Sequence, residues 1–203
     1  MRLFVAIDLA GRVRRGLGSF AADLAGRLAA ARLVPRGTAT WVAEQNLHLT
    51  LRFVGEVDGD AGERMAASLG QPFDVAPFDV SLAGLGVFPP GGPPRVLWIG
   101  VATGGDGLAA LARAVEERLV GLGVEPDQRP FSGHLTLARF KRPPERGLRD
   151  ALASLAPPGP FGPCPVDHVT LYASVLTPAG PAYRGLARGP LAVQRSGMRT
   201  GQP

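Results

Sequence analysis

Apolar residues change their spacing along the chain, so that short extended segments alternate with amphipathic helices. The first apolar run, Arg2–Asp8, is bounded by charges and predicts a buried strand. Apolar residues then recur at steps of three and four, which predicts a helix that ends before Pro35. The residues on this helical face are Val13, Leu17, Phe20, Leu24 and Leu28.

The segment 41–57 predicts extended structure in which polar and apolar residues alternate. Because successive side chains of a strand point to opposite faces, we expect His48, Thr50 and Arg52 to share one face. The opposite face then carries Leu47, Leu49, Leu51 and Phe53.

The rest of the chain continues the same alternation of helices and strands. We expect further strands at 80–88, 96–101, 134–140, 166–176 and 183–187, and helices at 60–69, 108–122 and 145–155. Pro and Gly clusters at 89–94 and 157–165 predict loops. The pattern is lost from about Arg188, so we expect one domain over 1–190 and a flexible tail over 191–203.

A repeated segment suggests how the domain is organised. HLTLRF at 48–53 and HLTLARF at 134–140 differ by one inserted residue. Strands and helices alternate in both halves, so we predict an α+β fold made of two pseudo-symmetric, α/β-type lobes. Each lobe would supply one histidine strand to a central cleft.

All three histidines of the chain stand in the pattern His-x-Thr-Leu, at His48, His134 and His168. On a strand, a histidine and the residue two positions later share a face, so an imidazole and a hydroxyl can address the same phosphate. His168 lacks the Arg-Phe ending of the other two motifs. We therefore expect His48 and His134 to be functional and His168 to be structural.

Two imidazoles with an ordinary pKa near 6.5 suit the acid–base opening of a phosphodiester at neutral pH. One would activate water and the other would protonate the departing ribose oxygen, without a metal. Three histidines could instead hold zinc, but the usual ligand spacing and the carboxylates are missing. Two alternatives stay open: a phosphodiesterase acting on a small cyclic nucleotide, and an RNA-binding module that does no chemistry.

Composition adds little to this picture. The formal charge of +5 suits a polyanion such as RNA, although Lys141 is the only lysine and a compositional bias toward arginine explains the charge equally well. The lone Cys164 predicts a buried small residue rather than a catalytic thiol. Apolar runs are too short to span a bilayer, so we expect a cytoplasmic monomer with no membrane partner.

The sequence resembles the 2H phosphoesterases, in particular the RNA 2′,3′-cyclic phosphodiesterases that are also called 2′-5′ RNA ligases. The resemblance covers nearly the whole chain. It rests on RLFVAIDL at the start, LHLTL with FVGEV up to 57, PRVLWIGV at 94–101, HLTLARF at 134–140, and LYASVLTPAGPAY up to 183. It implies two βαβ-type lobes with antiparallel sheets flanking a V-shaped cleft, and it implies no cofactor.

The resemblance also implies a role for each motif residue. His48 matches the proton donor and His134 the proton acceptor of the family. Thr50 and Thr136 match hydroxyls that orient the phosphate, and Arg139 matches an arginine beside the nucleotide. The expected reaction is hydrolysis of an RNA 2′,3′-cyclic phosphate to a 2′-phosphate, and the resemblance implies reversible 2′-5′ RNA ligation as a second reaction. One departure is Ser132-Gly133, where the family usually has proline before the second histidine.

Overall fold

The computed structural model describes residues 1–155, 160–177 and 180–192. The chain forms nine strands and four α-helices within these residues, and a short 3₁₀ helix spans Glu44–Asn46. The helices are α1 (Gly11–Ala30), α2 (Gly59–Leu69), α3 (Gly105–Val120) and α4 (Leu148–Ser154). The strands are β1 (Arg2–Asp8), β2 (Ala39–Trp41), β3 (His48–Glu56), β4 (Phe78–Phe88), β5 (Val96–Thr103), β6 (His134–Phe140), β7 (Phe161–Val166), β8 (His168–Thr177) and β9 (Gly180–Pro190).

The strands form two antiparallel sheets, which confirms the predicted α+β fold. The first sheet has the order β3-β1-β8-β9 and the second has the order β2-β6-β5-β4-β7. The two sheets meet where β3 contacts β6. Each of these two strands pairs with the strand that precedes a helix, β1 before α1 and β5 before α3, so the lobes are pseudo-symmetric.

The helices bury the apolar faces that the spacing predicts. In α1 the buried residues are Val13, Leu17, Ala21, Leu24 and Leu28, and in α3 they are Leu108, Leu111, Ala112, Val115 and Leu119. Phe20 of α1 is only half-buried, because its ring packs at the edge of the helix against Phe161, with 5.5 Å between ring centroids. Each buried leucine contributes about 1.5–3 kcal/mol through the hydrophobic effect. The helices therefore fix the sheets from behind.

The loop predicted over 157–165 is wrong in its second half, because β7 occupies Phe161–Val166. This strand pairs with β4 and places Cys164 opposite Val80, fully buried. Two prolines, Pro163 and Pro165, made the segment look like a loop. Proline is tolerated here because β7 is the edge strand of its sheet. Residues 156–159 of the predicted loop lie outside the described residues.

The last strand is longer than predicted. β9 spans Gly180–Pro190 and pairs along its whole length with β8. The next residue, Leu191, is buried and forms a bridge with Phe73. Residues 193–203 of the predicted tail lie outside the described residues. In the part of the chain that is described, no helix combines the length and the apolar character needed to cross a bilayer.

Candidate active site

The fold brings the two predicted histidine strands into one site. His48 begins β3 and His134 begins β6, and these strands contact each other between the sheets. Burial lowers the pKa of each histidine, and the charge of Arg139 lowers both further. One guanidinium therefore lies within electrostatic range of both imidazoles. We call the sheet faces that carry His48 and His134 the cleft faces.

Both imidazole rings are held by a backbone carbonyl two residues earlier. His48 Nδ1 lies 2.7 Å from the Asn46 oxygen, and His134 Nδ1 lies 2.8 Å from the Ser132 oxygen. A carbonyl only accepts hydrogen bonds, so Nδ1 carries the proton in both rings. Nε2 of each ring is then the atom that takes or gives a proton. With Ser132-Gly133 in place of the usual proline, this hydrogen bond is 2.8 Å long, against 2.7 Å for that of His48.

A β-bulge interrupts both histidine strands at the same place. In β3 the register against β1 skips Leu51, and in β6 the register against β5 skips Leu137. Each skipped residue stands three positions after its histidine. A bulge places two successive side chains on the same side of the strand, so it changes the face of every residue that follows.

The bulge in β3 corrects the predicted placement of Arg52. Arg52 stands opposite Val5, away from His48, and its Nε donates to a Glu116 carboxylate oxygen of α3 at 2.5 Å. Phe53 takes the cleft face instead, directly opposite Phe4, and is 49% exposed. The prediction that Arg52 shares the face of His48 is therefore wrong.

The bulges also show how the two motifs correspond. Counting from each histidine, Arg52 matches Ala138 and Phe53 matches Arg139, so 48–53 and 134–139 correspond with no inserted residue. The predicted insertion was an artefact of aligning Arg52 with Arg139. Arg139 stands opposite Val96 on the cleft face and is exposed.

The residues directly opposite the two histidines differ. Asp8 of β1 faces His48, whereas Gly100 of β5 faces His134. Directly opposite residues of an antiparallel pair have Cβ atoms about 4.5–5.5 Å apart. A carboxylate is thus a neighbour of His48, and the equivalent position beside His134 has no side chain.

The third motif, in β8, holds this carboxylate. Thr170 Oγ1 donates to Asp8 at 2.8 Å, and the Tyr172 hydroxyl also donates to it. His168 Nε2 lies 3.2 Å from the Asp8 carboxylate and 2.7 Å from Arg188 Nη2. The His-x-Thr pattern at His168 therefore supplies hydrogen-bond partners to the Asp8 carboxylate. The side chain of His168 is only 13% exposed.

The charge states of the site follow from these contacts. Burial raises the pKa of Asp8, but the hydrogen bonds from Tyr172, Thr170 and His168 more than offset burial, so the pKa lies below its usual value. Burial lowers the pKa of His48, while the Asn46 carbonyl and the charge of Asp8 raise it.

The acidic neighbour distinguishes the two histidines. For His134, burial lowers the pKa and the Ser132 carbonyl raises it. No carboxylate among the described residues acts on His134 in this way. Asp8 therefore favours the protonated form of His48 only.

Aromatic rings surround each histidine on the cleft faces. The His48 ring lies 4.9 Å from Phe4 and 5.4 Å from Tyr183, and the His134 ring lies 4.9 Å from Phe88, all between centroids. These rings exclude water from one side of each imidazole. Sequence patterns did not single them out, because aromatic residues in strands are usually core residues.

The two threonines lie on the same faces as the histidines. Thr50 stands two positions after His48 and Thr136 two positions after His134, before the bulge in each strand. Neither hydroxyl hydrogen-bonds to another residue in the described part of the chain. Both are half-buried. The hydroxyls are therefore free to bind a ligand that lies between the histidines.

The site offers few groups for a metal. Within residues 1–155, 160–177 and 180–192, no cluster of three or more His, Cys, Asp or Glu side chains has a metal-binding arrangement. Cys164 lies apart from the cleft, where its sulfur accepts the Ala10 N–H at 3.2 Å. Burial raises the pKa of this thiol, so it stays protonated at neutral pH.

Comparison with known proteins identifies the family. A sequence model of the 2′-5′ RNA ligase superfamily matches residues 20–176. The chain belongs to this superfamily. Among members of the superfamily, an RNA 2′,3′-cyclic phosphodiesterase of Archaeoglobus fulgidus is 37% identical over 187 residues, which cover 92% of this chain and 98% of the relative. A Methanocaldococcus jannaschii protein of the same name is 30% identical and covers 90% of this chain and 96% of its own length.

Solved structures of the 2′-5′ RNA ligase superfamily share the fold. Escherichia coli LigT in complex with 3′-AMP matches with a TM-score of 0.72 and 29% identity, covering 94% of this chain and 97% of LigT. A structure of TT0787 from Thermus thermophilus matches with a TM-score of 0.69 and 30% identity, covering 94% of this chain and 97% of that chain. The resemblance noted in the sequence is confirmed.

Proposed function

We propose that this protein hydrolyses RNA 2′,3′-cyclic phosphate ends to 2′-phosphomonoesters. The observation that carries the proposal is the matched pair of imidazoles. Each has its Nδ1 fixed by a backbone carbonyl, and the Nε2 of each makes no hydrogen bond to a residue that the structure describes. Relatives from several organisms are named RNA 2′,3′-cyclic phosphodiesterase, which supports the same substrate class.

In the proposed mechanism, His134 Nε2 takes a proton from a water molecule that attacks the phosphorus atom. The bond between phosphorus and the ribose 3′ oxygen breaks, and the phosphate stays on the 2′ oxygen. Protonated His48 gives its Nε2 proton to the leaving 3′ oxygen. Each proton transfer contributes on the order of 10²–10⁴-fold to the rate. Proton exchange with solvent then restores both histidines.

The difference between Asp8 and Gly100 supports the assignment of the two roles. A proton donor must hold its proton near the working pH, and a base must be free of it. The negative charge of Asp8 stabilises the imidazolium form of His48. His134 faces Gly100 and gains no such stabilisation. Burial still leaves the pKa of His48 below its ordinary value, and Asp8 offsets part of that loss. We therefore assign His48 as the donor and His134 as the acceptor, as the family resemblance also implies.

Thr50 and Thr136 supply the remaining contacts to phosphate in this proposal. Their unengaged hydroxyls would donate to the non-bridging oxygens and stabilise the charge that develops on them. Arg139 lies within electrostatic range of both histidines and is exposed. Its guanidinium would contact the terminal nucleotide, by stacking on the base or by pairing with phosphate. A LigT structure with bound phosphate is consistent with an anion in this fold.

The proposed chemistry needs no metal, and turnover in EDTA tests it. The substrate is an RNA oligonucleotide that ends in a 2′,3′-cyclic phosphate, and the variants are His48→Ala, His134→Ala and His168→Ala. We expect wild type to release the 2′-phosphate, and the first two variants to lose at least about 10³-fold in kcat. His168→Ala, the matched control, should keep far more activity because His168 contacts Asp8 and not the phosphate. Loss of wild-type activity in EDTA would contradict the proposal.

Ligation through a 2′-5′ bond would use the same groups in the same roles, with the 5′-hydroxyl of a second RNA in place of water. His134 would take the proton of that hydroxyl as its oxygen attacks the phosphorus atom, and His48 would protonate the departing 3′ oxygen, which leaves a 2′-5′ phosphodiester. Because both reactions depend on the same two groups, His48→Ala and His134→Ala should abolish ligation together with hydrolysis. A variant that lost one reaction and kept the other would separate the two.

We also infer that the enzyme works in the cytoplasm as a monomer. An RNA substrate and a buried, unpaired Cys164 suit a reducing compartment. Both histidines of the site come from one chain, so the chemistry needs no second copy. Light scattering at the concentrations used for turnover measures the mass in solution. A dimer that dissociates with loss of activity would overturn this inference.

A further inference from the structure

Phe53 is an exposed aromatic side chain on a cleft face. Its exposure of 49% contrasts with that of its cross-strand partner Phe4, which is 4% exposed. A half-exposed phenyl ring in the middle of a strand keeps apolar surface in water, which is unfavourable unless something covers the ring. The bulge at Leu51 is what turns this residue to the cleft.

The ring of Phe53 lies at a defined distance from the chemistry. Phe53 contacts Phe4 with 6.2 Å between ring centroids, and Phe4 contacts His48 with 4.9 Å between centroids. Phe53 therefore stands two ring contacts away from the proposed proton donor. It is the counterpart in β3 of Arg139 in β6, five positions after each histidine.

The backbone of Phe53 is held in place. Arg52 Nη1 donates to the Phe53 carbonyl oxygen at 2.6 Å, and Arg52 Nη2 donates to the Glu125 oxygen at 2.5 Å. The Arg52 side chain is only 12% exposed. A side chain that is exposed while its backbone is anchored offers a rigid surface, which loses little entropy when a ligand covers it.

We propose that Phe53 is a stacking platform for a base upstream of the terminal nucleotide, so that the site prefers RNA strands over mononucleotides. This inference rests on the proposed function. A base stacks on an aromatic side chain with about 1–3 kcal/mol and little dependence on its identity. A mononucleotide would place its phosphate between the histidines and leave Phe53 uncovered. A strand would place a further base on Phe53.

The test compares two substrates: a short RNA ending in a 2′,3′-cyclic phosphate, and a nucleoside 2′,3′-cyclic phosphate. Phe53→Leu keeps apolar contact with Phe4 but removes the aromatic face. We expect it to lower the ratio of kcat/KM for RNA to kcat/KM for mononucleotide about tenfold, mainly through the KM for RNA. Phe53→Tyr should keep the ratio, and so should Val120→Ala, which alters an exposed apolar residue at the end of α3.

Equal losses on both substrates in Phe53→Leu would overturn the proposal, because Phe53 would then act only through the packing of Phe4 on His48. Unchanged kcat/KM values on both substrates would overturn it as well. Failure of the proposed function has a different signature, since wild type would then turn over neither substrate. In that case, quenching of 2-aminopurine fluorescence in a bound RNA still measures stacking. Quenching by wild type that Phe53→Leu loses supports the platform, and equal quenching overturns it.

Discussion

The two histidine strands, β3 and β6, share one set of features and differ in another. In both strands, the histidine is hydrogen-bonded to the backbone carbonyl two residues earlier. A threonine follows two positions after the histidine, and a bulge lies one position after the threonine. They differ at three positions. The residue opposite the histidine is Asp8 or Gly100, the second residue of the bulge is Arg52 or Ala138, and the next residue is Phe53 or Arg139. In the proposed mechanism, the shared features bind phosphate and transfer protons. The differences make two equivalent histidines unequal.

Removal of one hydroxyl from each strand tests the shared features and should have the largest effect. We expect Thr50→Val and Thr136→Val each to lower kcat about 10²-fold, because each removes one donor to the phosphate. Thr50→Ser and Thr136→Ser keep the hydroxyl and should retain most of the activity. Steady-state kinetics at the pH optimum measures the effect. A large loss in only one strand would break the proposed equivalence of the two threonines.

The second residue of the bulge differs because Arg52 is paired with Glu116, whereas its counterpart Ala138 is packed in the apolar core. Arg52→Ala leaves the partly buried Glu116 carboxylate without its cation, and we expect it to destabilise the protein by about 2 kcal/mol. Arg27→Ala is the control, because Arg27 is 54% exposed and its pair with Asp23 should contribute less than about 1 kcal/mol. Urea denaturation measures both values.

A double change gives a sharper test of this pair. Arg52→Ala combined with Glu116→Gln should recover part of the stability that Arg52→Ala loses, since the unpaired charge is removed. Equal stability of Arg52→Ala and Arg27→Ala would show that the ion pair of β3 contributes no more than a surface pair.

The residues opposite the histidines provide the test with the smallest expected effect. Asp8→Asn removes the negative charge that favours protonated His48, so the pKa of His48 should fall. The proton donor then loses its proton at a lower pH, and the descending alkaline limb of the kcat/KM profile should move to lower pH. The acid limb, set by His134, should stay in place. NMR titration of the ring Hε1 protons measures the two histidines separately and needs no turnover.

Two variants serve as controls for that measurement. Asp167→Asn removes a carboxylate on the far side of His168 and should leave the pKa of His48 unchanged. Asp8→Glu retains the charge and should restore part of the His48 pKa if the loss of charge, and not a loss of structure, is the cause. If the acid limb moved in Asp8→Asn instead, the assignment would have to be exchanged, with His48 as the base and His134 as the proton donor.

Much of this site could be predicted from the sequence, because the chemistry repeats a short pattern. His48, His134 and their threonines stand out by a spacing that strand geometry explains, and the structure brings them to one site. Asp8 had no such signal. It ends an apolar strand, where a charged residue is typical of a solvent boundary, and its importance depends on a register with β3 that the sequence does not specify.

The faces of Arg52 and Phe53 were predicted wrongly for a different reason. Strict alternation assumes a regular strand, and one bulge residue reverses every face that follows it. Two bulges at matching positions could have been suspected, since Arg139 and Arg52 align only with a gap. The edge strand β7 was missed because its prolines are tolerated at an edge, which local composition cannot indicate.

The strand order of the first sheet has a consequence for biosynthesis. β1 leaves the ribosome before the strands it pairs with, and it lies in the middle of its sheet, between β3 and β8. Its partner β8 is encoded more than 160 residues later, in the last part of the chain. The carboxylate beside His48 gains its hydrogen bonds from Thr170 and Tyr172 only when β8 arrives, so the site of the nascent chain stays incomplete until β8 has been synthesised.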